Sequence, residues 1–147
     1  MNEDLIKFGL RKITTGQFAT IDSVAINEDA IQLNFGFTFG INEDHRIVGC
    51  NAKFEFFSHE LPFIVIDVLC DFEVAQDSWN SFVNAESNII TLPLSMVTHM
   101  AVLTVGATRG VLHSRTENTK YNKYFLPTIN VTDSITSDIT IDMQKVE

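Results

Sequence analysis

His99 and His113 lie within the stretch VTHMAVLTVGATRGVLHSRT, and two imidazoles on one element are candidates for a metal site or for proton transfer. If the stretch is helical, the rings fall about 40° apart around the axis but about 21 Å apart along it, too far to share an ion. Each therefore reads as a structural or surface histidine. Cys50 and Cys70 both fall on the inward side of neighbouring alternating segments. They read as buried core thiols, with a redox switch or disulfide as the alternative. Asp67, Asp71 and Glu73 share the outer side of one segment. Three acids there suit a solvated face, or a docking surface for a basic partner, better than acid–base catalysis. No HExxH, GxSxG, Walker loop or Cys–His metal spacing occurs, so no catalytic residue, metal or cofactor is expected.

The chain as a whole sets limits on its partners. Its 147 residues fit one domain, spanning 1–147, with a real core, and 45% hydrophobic against 20% charged residues describes an ordinary globular protein. A net charge of −9 argues against a nucleic-acid partner, which needs Lys and Arg against phosphates. The crowding of Arg109, Arg115, Lys120 and Lys123 reads as a solvated helix end. The beginning, MNEDLIKFGL, is acidic and has neither a basic region nor a long apolar run, so no signal peptide is expected. Two cysteines without a framework fit a reducing compartment, and a cytoplasmic location is expected.

The elements that must position these residues are mostly strands. From Ala30 to Ile41 the sequence alternates: Ile31, Leu33, Phe35, Phe37, Phe39 and Ile41 on one side, Gln32, Asn34, Gly36, Thr38 and Gly40 on the other. After NEDHR, Val48, Cys50, Ala52, Phe54 and Phe56 share a face. After SHELP, Ile64, Ile66, Val68, Cys70, Phe72 and Val74 do the same. Short polar connections imply antiparallel neighbours, with Phe39 opposite Cys50, Phe37 opposite Ala52 and Phe35 opposite Phe54. KFGLRKITTGQFATI, with Ile6, Phe8 and Leu10 alternating before Gly16, is an earlier and less regular strand. The apolar face of such a sheet needs a cover, and helices that follow the strands supply it.

The opening stretch is that cover. It is too short and too charged for a membrane span, which needs roughly 18–20 nearly continuous apolar residues. Pro93 suits its first turn, and Thr91 is a candidate cap. Its apolar arc, including Met100 and Val111, is wider than one sheet contact needs, so a second copy of the chain is expected to meet it. Gly106 and Gly110 allow a close helix contact or end the helix. Trp79 and Phe82 lie in a polar segment, DSWNSFVN, which reads equally as leaving them partly exposed for binding or as placing them in the core or an oligomer interface. The last segment, 133–147, reads equally as a helix capped by Asp133 or as a strand through Ile139, Ile141 and Met143.

The ordered set FGLRKITTGQF, IQLNF, IDVLCDFEV, NIITLPLSMV and YFLPTINV resembles the SecB family of export chaperones over most of the chain. The resemblance implies an α+β fold: a four-stranded antiparallel sheet with one long helix and a short C-terminal element packed on one face. It implies a homotetramer, a dimer of dimers, that binds unfolded polypeptides without ATP. Ile31, Leu33 and Phe35 match positions that line the family's client groove, and Trp79 and Phe82 are added to them as candidate polypeptide-binding residues. Ile66, Val68 and Cys70 match positions that influence assembly; Met100 and Val111 join them as candidate oligomer contacts. Asp67 matches an acidic position that contacts the translocation ATPase SecA, with Asp71 and Glu73 as neighbouring candidates. The chain departs from the family at Gln17 and Ile21, where exporters carry acids, though Asp22 is adjacent. A chaperone protecting a regulatory protein outside export fits the residues about as well. A hot-dog-like acyl-thioester enzyme and a carrier of small apolar ligands are the alternatives from other classes.

Overall fold

A computed structural model describes residues 6–143 of the chain. Its four long strands follow the alternations: β1 (Phe8–Thr20), β2 (Ile31–Asn42), β3 (Ile47–Ser58) and β4 (Leu61–Val74). They form one antiparallel sheet in the order β1-β4-β3-β2. The expected hairpin register holds: Phe39 faces Cys50, Phe37 faces Ala52 and Phe35 faces Phe54. The β2–β3 ladder runs unbroken along all 12 residues of β2. β1 is interrupted twice, between Leu10 and Lys12 and between Thr15 and Phe18, where its alternation also fails.

The two hairpins turn on residues other than glycine. His59 and Glu60, with φ of 54° and 67°, take the left-handed conformation that a two-residue type I′ turn demands. Arg46, φ 53°, closes the β2–β3 turn. Its carbonyl accepts from the Val74 N–H at 2.9 Å and its Nε donates to the Val74 carbonyl at 3.0 Å, which ties this turn to the end of β4.

Beyond β4 the chain forms α1 (Gln76–Phe82), β5 (Val83–Asn84), β6 (Ile89–Leu92), α2 (Leu94–Thr116), α3 (Val131–Ser134) and β7 (Ile139–Asp142). β5, β6 and β7 make a second, three-stranded sheet that the sequence reading did not anticipate. The segment read as helix or strand is both in turn: one helical turn at α3, then a strand at β7. Asn130, not Asp133, stands at the α3 N-cap, and residues 144–147 lie outside the described part.

α2 is the expected long helix, and it starts directly after Pro93. Thr91 is a strand residue of β6 and does not cap it. That task falls to Asp138, whose Oδ1 accepts the Leu94 N–H at 2.8 Å from the loop before β7. α2 buries Met96, Val97, Met100, Ala101 and Leu112 against the large sheet. The buried hydroxyls of Thr104, Thr108 and Thr116 are satisfied by carbonyls one turn back, at 2.7–2.8 Å.

Candidate functional site

A helix about 10 Å across covers roughly two strands spaced about 4.8 Å apart, and this sheet has four. α2 lies over the central pair, β3 and β4. Their inward residues, among them Cys50, Phe54, Ile66, Val68 and Phe72, have no exposed surface. The edge strands are left with an incomplete cover. On β2, Ile31, Leu33, Phe37, Phe39 and Ile41 are only half-buried, and Phe35 is 38% exposed. Phe35 stacks on Phe54 with centroids 5.6 Å apart and meets Phe37 edge-on at 6.0 Å, so an aromatic stripe runs from the core to the open edge. On β1, Leu10 and Ile13 are 43% and 49% exposed.

The end of the β2 stripe near Ile31 is bounded by two straps. Residues 21–30 cross from β1 to β2, and residues 117–130 follow α2. Tyr121 donates to Asp22 Oδ1 at 2.5 Å, and Tyr124 donates to Glu28 Oε2 at 2.8 Å, while Lys123 Nζ stands 2.9 Å from the same carboxylate. The hydrogen bond to Asp22 and burial push the Tyr121 phenol up to about 12. Hydrogen bonds from Lys123 and Tyr124 hold the Glu28 carboxyl below its ordinary value. The Tyr124 ring packs edge-on against Phe63 at 5.1 Å, so the straps are anchored both by charge and by the core.

The sequence-derived candidates are placed unevenly. Ile31, Leu33 and Phe35 lie together on the half-open stripe. Of the two readings for Trp79 and Phe82, exposure for binding is overturned: the two are 6% and 8% exposed, because α1 turns both inward, three residues apart on one face. Ile66, Val68 and Cys70 on β4 and Met100 on α2 have no exposed surface, so they cannot touch a neighbouring subunit from these positions; Val111 is half-buried at the helix flank. Asp67 has a structural task. Its Oδ2 accepts the Gln17 N–H at 3.2 Å, and its Oδ1 occupies the space that a side chain on Gly16 would need, at the second break of β1. Glu73 pairs with Arg11 at 2.7 Å and Arg46 at 3.4 Å, and the Arg11 hydrogen bond lowers its pKa. Asp71 keeps an outward position beside Gly49. Asp22, adjacent to the positions where exporters carry acids, is engaged by Tyr121.

The chemistry-bearing pairs do not converge. His99 lies edge-on to Phe8 at 5.4 Å, whereas His113 sits 3.5 Å from Glu117 at the far end of α2. Cys50 and Cys70 are direct cross-strand partners, both without exposed surface. Burial pushes the Cys50 thiol up to about 11 and raises Cys70 as well, which disfavours the reactive thiolate. Among the described residues no group of three His, Cys, Asp or Glu is placed to hold a metal ion. No helix among them is long and apolar enough to cross a membrane.

Sequence reasoning found the stripe's residues but not the straps that border it. Tyr121–Asp22 and Tyr124–Glu28 join positions almost a hundred residues apart, and nothing local marks them. No family model, curated protein or solved structure matches this chain.

Proposed function

We propose that the protein is an ATP-independent chaperone of the SecB type that holds unfolded or non-native polypeptides on the half-open inner face of β2. The observation that carries the reading is the aromatic stripe, with Phe35 at its most exposed point and Ile31, Leu33 and Phe37 beside it. Incompletely covered apolar surface marks an interaction site, and a chain of net charge −9 that displays it resists self-precipitation. The ordered resemblance of five segments to the SecB family points the same way, and with it come cytoplasmic location and assembly from identical subunits, a dimer of dimers. Two of the three acids proposed for docking an ATPase are held within the chain, so protection of clients outside export fits this protein better than delivery to SecA. No catalytic role is proposed.

The test is suppression of aggregation of an unrelated, chemically unfolded client monitored by light scattering. The protein in stoichiometric excess is expected to delay aggregation, and Phe35→Asp to weaken the effect by about tenfold or more in the concentration required, since a charge there must be desolvated. Absence of any delay at stoichiometric excess would refute the reading.

A further inference from the structure

We propose that the open cavity between the β2–β3 turn and α1 binds a small organic monocarboxylate with an apolar body. None of the residues lining it belongs to the β2 stripe, and the proposal does not depend on the polypeptide-binding reading. The cavity has a volume of about 390 Å³, near the lower end of the range for small-molecule sites.

Three sets of donors lie on its wall without a partner in the chain. Trp79 is only 6% exposed. Among the described residues every side-chain nitrogen or oxygen sealed from solvent has a hydrogen-bond partner. The Trp79 indole N–H has none, so it is not sealed and opens into the cavity that Trp79 lines. A nearly buried tryptophan ordinarily pairs that N–H, and here it is left for a ligand. Arg46 is the second donor. It holds a left-handed backbone, φ 53°, where glycine or asparagine would cost less, and such strain concentrates at binding sites. Three of its five N–H groups donate to the Val74 carbonyl, Gln76 Oε1 and Glu73 Oε2. These bonds fix the guanidinium at the cavity wall and leave its remaining N–H groups for a ligand. Asn80 is the third. Its Oδ1 accepts from Gln76 Nε2 at 3.0 Å, which leaves its NH2 as a donor.

Charge and shape define what the donors take. Glu73 is shared by Arg11 and Arg46, so two guanidiniums face one carboxylate and one positive charge is unmatched. A ligand carboxylate supplies both the missing charge and the acceptors. Glu43 lines the same cavity and forms no ion pair among the described residues, so a second negative charge on the ligand would be repelled. Trp79, Val83 and Met143 supply an apolar wall, with the flexible thioether able to fit bodies of different outline.

Trp79 is the single tryptophan of the chain, so its fluorescence and its indole N–H resonance report on the cavity directly. The whole protein is titrated with phenylpropanoate and with octanoate. The expected result is saturable binding of either in the millimolar range or below, with a shift of the indole N–H resonance. Phenylpropanamide, which lacks the charge, and phenylsuccinate, which adds a second, are expected to bind about tenfold or more weakly. Asn80→Asp, at an exposed position of α1, sets a negative charge beside the ligand's and is expected to weaken binding to the same extent. Arg46→Gln is expected to do likewise where circular dichroism shows it folded; if it unfolds, Asn80→Asp decides alone. Flat titrations with both carboxylates would overturn the proposal. Equal affinity for the amide or the dicarboxylate, or unchanged affinity in Asn80→Asp, would do the same.

Discussion

Gly16 is the glycine of this chain with the least room for a side chain. Its conformation is ordinary; the constraint is the Asp67 carboxylate lying where a Cβ would go and accepting the next residue's N–H. The pair sits at the second break of β1, between Thr15 and Phe18. Gly16→Ala is therefore expected to destabilise the protein by about 1–3 kcal/mol, the usual cost of forcing an atom into an occupied space. Asp67→Ala leaves the Gln17 N–H short of a partner and costs about 1 kcal/mol. The double variant, in which the clash is gone, is expected to be more stable than the sum of the singles predicts. Denaturant unfolding of the four proteins measures this, and strict additivity would show that Asp67 does not constrain Gly16. The same pair explains why an acid read as a docking group is poorly suited to it, since that carboxylate is already bound.

At the scale of elements, legibility depended on the range over which the signal is written. β2, β3 and β4 each carry nine or more positions of period-two pattern, and the β2–β3 register followed from it, because a slip of one would turn Phe35, Phe37 and Phe39 to the outer face. α1 was not legible as a buried helix. Its 7 residues, QDSWNSF, are mostly polar, and only the three-residue spacing of Trp79 and Phe82 hinted that both turn inward. β5 is 2 residues long, too short for any period to show, while the alternation of Ile139 and Ile141 in β7 left a strand as one of two readings; both strands pair with β6. The stripe's residues were legible while its openness was not, since which strands α2 covers depends on sheet order. The cap of α2 is another long-range feature: Asp138 lies 44 residues from the N–H it accepts. A carboxylate there satisfies an orphan donor and faces the positive end of a 23-residue helix. Asp138→Ala is expected to cost about 0.5–2 kcal/mol, and Asp138→Asn, which keeps the acceptor, markedly less. Thermal unfolding distinguishes them; equal losses would mean that the side-chain oxygen does not cap the helix. Because Asp138 also anchors the approach to β7, faster hydrogen exchange in residues 139–142 of the alanine variant is the accompanying sign.

The described residues expose more apolar surface than one helix can cover, and besides Leu61 and Phe125 the excess lies in two places. One is the β2 stripe. The other comprises the edge strand β1, where Leu10 and Ile13 are open, and the outward side of α2, where Val102 is 51% and Leu103 41% exposed. Gly106 and Gly110 belong to that outward side, and a side chain at either would meet nothing within 4 Å in the chain. Their cost to the helix, about 1 kcal/mol each relative to Ala, is therefore not offset by packing inside one subunit. An identical subunit approaching α2 would offset it, through close backbone contact and burial of Val102 and Leu103. In such an assembly the buried residues Ile66, Val68, Cys70 and Met100 would act only indirectly, by setting how far α2 stands from the sheet. Static light scattering is expected to give a mass that is a multiple of the single chain. Leu103→Glu, which places a charge on the proposed contact and none in the core, is expected to shift that mass toward the monomer while leaving the strand and helix content by circular dichroism unchanged. A wild-type protein that stays monomeric at high concentration would refute assembly through α2, and it would leave the β2 stripe as the sole proposed use for the surplus apolar surface.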